Sequence, residues 1–134
     1  MKISVHVQIA GILLIALGLA HGYFERYFGW RKETAQLSVV TRQIFFLHCF
    51  FIAVVLILMG VLSAVYTDDI LQKGPLGRAV CGALAVFWIL RLGAQWFFYD
   101  PQIWRGSRFR TTMHWAFSVL WIYLAGTYTC AWWS

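Results

Sequence analysis

Charge is scarce in this chain, and negative charge scarcest: 5 of 134 residues are Asp or Glu, and charged residues of both signs make up 12%. A soluble domain carries about 25% charged residues, so an ordinary water-facing surface is excluded. Prolines number two, Pro75 and Pro101, and neither interrupts an apolar stretch, so nothing forces a kink inside a long helix. The three cysteines, Cys49, Cys81 and Cys130, share no CxxC spacing and lie in apolar segments. That excludes a paired thiol–disulfide exchange centre and leaves small buried hydrophobes. No HExxH-type spacing, phosphate-cradling glycine loop or nucleophilic triad is present. Zinc hydrolysis would also lack a carboxylate placed as general base.

What remains is apolar and aromatic. Hydrophobic residues make up 61% of the sequence and aromatics 19%, with a mean hydropathy of +0.69. Four apolar stretches, residues 3–24, 39–66, 76–99 and 111–133, have membrane-spanning length. They predict an all-α fold, an integral membrane four-helix up-down bundle formed as one domain over residues 1–134. Spans of roughly 20 residues each leave no room for a soluble catalytic domain. Any site must be built from the helices and their short connections. Lys73-Gly74-Pro75 reads as a turn before the third stretch, and Asp100-Pro101 as punctuation after it. The net charge of +6 is read as basic residues flanking spans and touching lipid headgroups, with no nucleic-acid partner.

The basic residues are unevenly shared. With both termini on one side, Lys2, Lys73 and Arg78 lie there, while Arg26, Arg31, Lys32, Arg42, Arg105, Arg108 and Arg110 lie opposite. By the positive-inside rule the richer side is cytoplasmic. The expected location is a bacterial inner (cytoplasmic) membrane, multi-pass, with N-out and C-out topology. The first stretch resembles a signal peptide in Lys2, its apolar run and Gly18-Leu19-Ala20. Cleavage would invert the charge bias, so it is expected to be a retained span. Trp30, Trp96, Trp104 and Trp115 on one side, with Trp132 and Trp133 on the other, form two interfacial belts.

Helical spacing sorts the polar residues into stripes. Gly11, Leu14, Gly18, His21 and Glu25 share a face of the first helix, and Gly18 with Gly22 makes a GxxxG pair for close packing. On the second helix Phe45, His48, Ile52 and Val55 share a face, with phenylalanines around His48. Trp88, Arg91, Gln95 and Tyr99 run in one row of the third. Thr111, His114, Ser118, Trp121, Ala125 and Tyr128 line the fourth. Antiparallel connectivity puts His21, His48, Arg91, Gln95 and His114 in the same half of the bilayer. Polar groups in hydrocarbon are costly unless paired or functional, so they are expected to face one another. His6, near the opposite side, is read as interfacial and without companions.

Three functions compete. A cofactor module in membrane electron transfer would use haem b, with His48 and His114 as axial ligands to the metal, His21 as the alternate, and Arg91 and Gln95 as a polar clamp. A quinone is a variant, its carbonyls taking donors such as His48, Gln95 or Tyr99. A homodimeric transporter or channel for a small solute or ion could use the polar face of the fourth helix. A ligand-free accessory subunit of a larger membrane complex would use the same groups as interhelical glue.

Arg42-Gln43-Ile44-Phe45 followed by His48, Pro75-Leu76-Gly77-Arg78, and Arg91-Leu92 followed by Gln95 and Phe98-Tyr99-Asp100 resemble a group of small bacterial four-helix membrane proteins with no assigned function. The resemblance covers roughly residues 40–100. It implies the architecture and transfers no activity.

Overall fold

Local capping chemistry sets where the long helices begin in the computed structural model, which describes residues 2–72 and 74–134. Lys73, counted in the charge balance and in the turn signal, lies outside the described residues. Helix α1 spans Ile3–Tyr27. Gly29 then adopts a left-handed φ of 63° and starts the short α2, Trp30–Glu33. This φ suits a residue without Cβ. A 3-10 turn at Thr34–Gln36 follows. The Ser38 side chain accepts a hydrogen bond from the Thr41 amide and caps α3, Val39–Val65. Loss of that cap in Ser38→Ala should cost about 1 kcal/mol of α3 stability, read as fraying of its first turn in amide exchange.

After α4, Thr67–Leu71, Pro75 opens α5, Pro75–Phe97, where its missing amide costs nothing. A 3-10 turn at Pro101–Ile103 leads to Gly106, with φ 87°, and to Ser107. That serine accepts from the Arg110 amide and caps α6, Arg108–Trp133. No strand occurs among the described residues.

These limits amend the sequence expectation at one site residue. Helix α5 stops at Phe97, so Tyr99 does not continue the row of Trp88, Arg91 and Gln95. The cause is Pro101, which disfavours helix at the residue before it. Asp100 is accordingly extended, with ψ 126°.

Helices α1, α3 and α5 are long and apolar enough to cross a membrane. Helix α6 has 26 residues but is not among them. Thr111, Thr112, His114, Ser118, Thr127 and Thr129, with its tyrosines and tryptophans, dilute its apolar content.

The chain divides into two compact units, Gln8–Thr67 and Met1–Val7 with Asp68–Ser134. In the first, α1 and α3 run antiparallel on glycine contacts. A Cβ at Gly11 would lie 2.6 Å from the Ala64 amide nitrogen, and one at Gly18 would lie 2.9 Å from the Ala53 carbonyl oxygen. Gly22 meets nothing within 4 Å, so the close approach uses Gly11 and Gly18 and not the GxxxG pair. In the second unit α5 and α6 pack around Trp88, Trp121, Leu124 and Tyr128, all buried. Val7, Ile70, Cys81 and Ala131 close one end.

Candidate functional site

Buried Gln95, only 3% exposed, is the hub of a polar network between α5 and α6. Arg91 stands one turn before it on the same face and donates from a terminal nitrogen to Gln95 Oε1 at 3.2 Å. The Trp121 indole N–H donates to that oxygen at 3.4 Å. With two donors on Oε1, the amide orientation is determined, and Nε2 must donate. It does so to His114 Nδ1 at 2.9 Å.

A neutral histidine that accepts at Nδ1 carries its proton on Nε2. In this state His114 is a donor at Nε2 and has no lone pair left for iron. Ser118 holds the His114 backbone, its hydroxyl donating to the His114 carbonyl at 2.8 Å. Three indoles surround the ring, with centroids at 4.6 Å for Trp104, 5.1 Å for Trp96 and 6.0 Å for Trp115. Trp104 is held in turn by Thr111, whose hydroxyl donates to the Trp104 carbonyl at 2.9 Å. Tyr99 packs edge-on against Trp104 at 5.8 Å.

Among the described residues Arg91 has no anionic partner. Its guanidinium carbon lies 4.8 Å from the centre of the Trp121 ring, a cation–π contact. The one ion pair among the described residues joins Arg31 to Glu25, far along the sequence. Arg91 therefore keeps most of its five donors for something else. Beside it Trp88 stacks on Trp121 at 5.1 Å and 14°. Its indole N–H is buried without a partner among the described residues.

The other histidines behave differently. His21 Nδ1 donates to the Leu17 carbonyl at 2.9 Å and His48 Nδ1 to the Ile44 carbonyl at 2.8 Å. Each thus holds its Nε2 lone pair outward, as a metal-ligating histidine does. They do not converge. Ala53, Ile57, Gly60 and Ala64 face α1, and His48, five residues before Ala53, lies about 140° around the helix from it. His48 is exposed, while His21 is half-buried and lines an apolar cavity of about 370 Å³ with Phe46, Cys49, Phe50 and Ala53. His6 is not alone, because its Nδ1 lies 3.1 Å from the Tyr123 hydroxyl. Among the described residues no three His, Cys, Asp or Glu side chains gather to hold a metal ion.

The arrangement thus brings Arg91, Gln95 and His114 together, with Tyr99 one ring removed, and leaves His21 and His48 in the other unit. The part not foreseen is the role of Trp121 and Trp104. Trp121 lies two turns after His114 on the same face, a spacing that could have marked it as the second donor to Gln95. Trp104 comes from a connection, whose path no periodicity reports. Compared with family models, with curated proteins and with solved structures, the chain matches none.

Proposed function

We propose that this protein is a multi-pass membrane protein that binds a quinone in the α5–α6 unit, at Arg91 and His114. The observation that carries the reading is the direction of the hydrogen bond at His114. Gln95 leaves that ring a donor, which suits a carbonyl oxygen and does not suit iron. Arg91, with no carboxylate beside it, supplies further donors and a positive charge that favours electron density on a ligand oxygen. The indoles of Trp96, Trp104 and Trp115 offer flat apolar faces to a ring. In this reading α6 also crosses the bilayer, and the basic-rich connections face the cytoplasm of a bacterial cell.

Reconstituted protein titrated with a short-chain ubiquinone or naphthoquinone should show saturable quenching of tryptophan fluorescence. Arg91→Ala and His114→Ala should each weaken binding about tenfold or more, since each removes a strong donor. Quenching that never saturates, or that ignores both substitutions, would sink the reading.

A haem is the second reading, favoured by the outward Nε2 atoms of His21 and His48. Because those atoms diverge within their unit, an iron would need one ligand from another copy of the chain or from a partner. A Soret band that shifts in His48→Ala would favour this over the quinone.

A further inference from the structure

The connection between α1 and α3 carries two adjoining cavities, one rich in charged side chains and one where aromatic and aliphatic side chains join the Arg31–Glu25 pair. The larger, about 870 Å³, is lined by Arg26, Arg31, Lys32 and Glu25, with Gly22 and Tyr23. The smaller is the apolar cavity at His21, bounded by Phe46, Phe50 and Ala53. Gly22, Glu25 and Arg31 line both, so they share a border. Three cations face one carboxylate at the larger cavity, a balance of +2. That carboxylate is already taken, because Arg31 Nε donates to Glu25. The bond orients the guanidinium and leaves its two terminal nitrogens as a fork for a second anion. It also pushes the Arg31 pKa up, chiefly through the hydrogen bond and then through the charge of Glu25, so the cation persists across the working pH range. Arg42 lines a third cavity with Arg31 and Phe46.

From basic head to apolar tail the pair matches an amphiphile. The three cations sit where α1, long and apolar enough to span a membrane, comes to its end. The apolar cavity runs along α3 from Phe46 to Ala53, about 10 Å of helix rise toward the span's middle. We infer that these two cavities hold one anionic phospholipid, its phosphate among Arg26, Arg31 and Lys32 and one acyl chain against Phe46, Phe50 and Ala53. The inference is independent of the quinone site, which lies in the other unit.

Gly22 supplies a clean test. It stands on the border of both cavities, and a Cβ there meets nothing within 4 Å. Gly22→Leu should therefore fill the lipid space without disturbing the fold, and it improves helix propensity. The full chain in neutral maltoside micelles is titrated with dioctanoyl phosphatidylglycerol, dioctanoyl phosphatidylcholine and glycerol 3-phosphate, with bound adducts counted by native mass spectrometry. Phosphatidylglycerol should bind about tenfold more tightly than phosphatidylcholine, since the headgroup meets a balance of two positive charges. Gly22→Leu should lose that binding at unchanged helical circular dichroism. Arg26→Gln and Lys32→Gln should each lower it about fivefold. Equal binding of the two lipids, or wild-type binding by Gly22→Leu, would overturn the inference. So would glycerol 3-phosphate binding as tightly as the lipid, which would mark a site for free phosphate that ignores the apolar cavity.

Discussion

Replacing Gly60 by alanine should drive α1 and α3 apart. A Cβ at that position would lie 2.7 Å from the Gly11 carbonyl oxygen, 2.7 Å from Ile15 Cγ1 and 2.8 Å from the Ile15 amide nitrogen. The isoleucine methylene can rotate away, but the two backbone atoms cannot. Relief therefore requires the helices to separate, and separation removes the close contacts along the Gly11 and Gly18 seam. With no hydrophobic driving force between helices in lipid, such packing is what holds them together. The expected loss is about 1–3 kcal/mol, with leucine costing more than alanine. Gly11→Ala should behave similarly, and the double substitution should cost less than the sum, because both act on one contact. Gly93→Ala is the control. Nothing lies within 4 Å of its Cβ position, so it should be neutral or should stabilise α5 by up to about 1 kcal/mol. Unfolding titrations in bicelles read all five. A Gly60→Ala protein as stable as wild type would show that the seam is not what joins this unit.

The long helices were legible because their punctuation is chemical. Pro75 marks a start and Pro101 a stop through their rings, whereas the starts after Ser38 and Ser107 rest on side-chain caps that hydropathy does not report. At the glycines the determining factor lay on another element. Gly11, Gly18 and Gly22 all lie on one face of α1, and sequence spacing favoured the last two. Which of them touches a neighbour depends on the register of α3, and only Ala53, Ile57, Gly60 and Ala64 report that. Tyr99 was placed on α5 by periodicity alone, although Asp100-Pro101 already argued against a helix there. The stripes put His114 and Gln95 in the same half of the bilayer, and a hydrogen bond joins their side chains. The His114 tautomer was out of reach, because it is set by the way the Gln95 amide points, which the donors from Arg91 and Trp121 determine together.

Gln95→Leu should therefore disturb more than its own volume. Leucine fills similar space and keeps the helix, but it strips an acceptor from Arg91 and from the Trp121 indole, and a donor from His114 Nδ1. Trp121 is buried and Arg91 and His114 are half-buried, and a buried group left unsatisfied costs about 1–3 kcal/mol. Arg91 can recover part of that by reaching along its stem toward the interface, and His114 by moving its proton to Nδ1. The expected net destabilisation is thus about 2–3 kcal/mol, well below the sum of three full penalties. The sharper signature is in the imidazole. Wild-type nitrogen NMR should show His114 with its proton on Nε2, and Gln95→Leu should show mixed tautomers. Gln95→Glu separates stability from tautomer. Its carboxylate still accepts from Arg91 and Trp121, so stability should recover most of the loss. It cannot donate to Nδ1, so the His114 proton should move there and donate to the carboxylate. If Gln95→Leu left both the stability and the Nε2 proton unchanged, the hub would be incidental. The donor character that suits His114 to a carbonyl ligand would then have no structural cause.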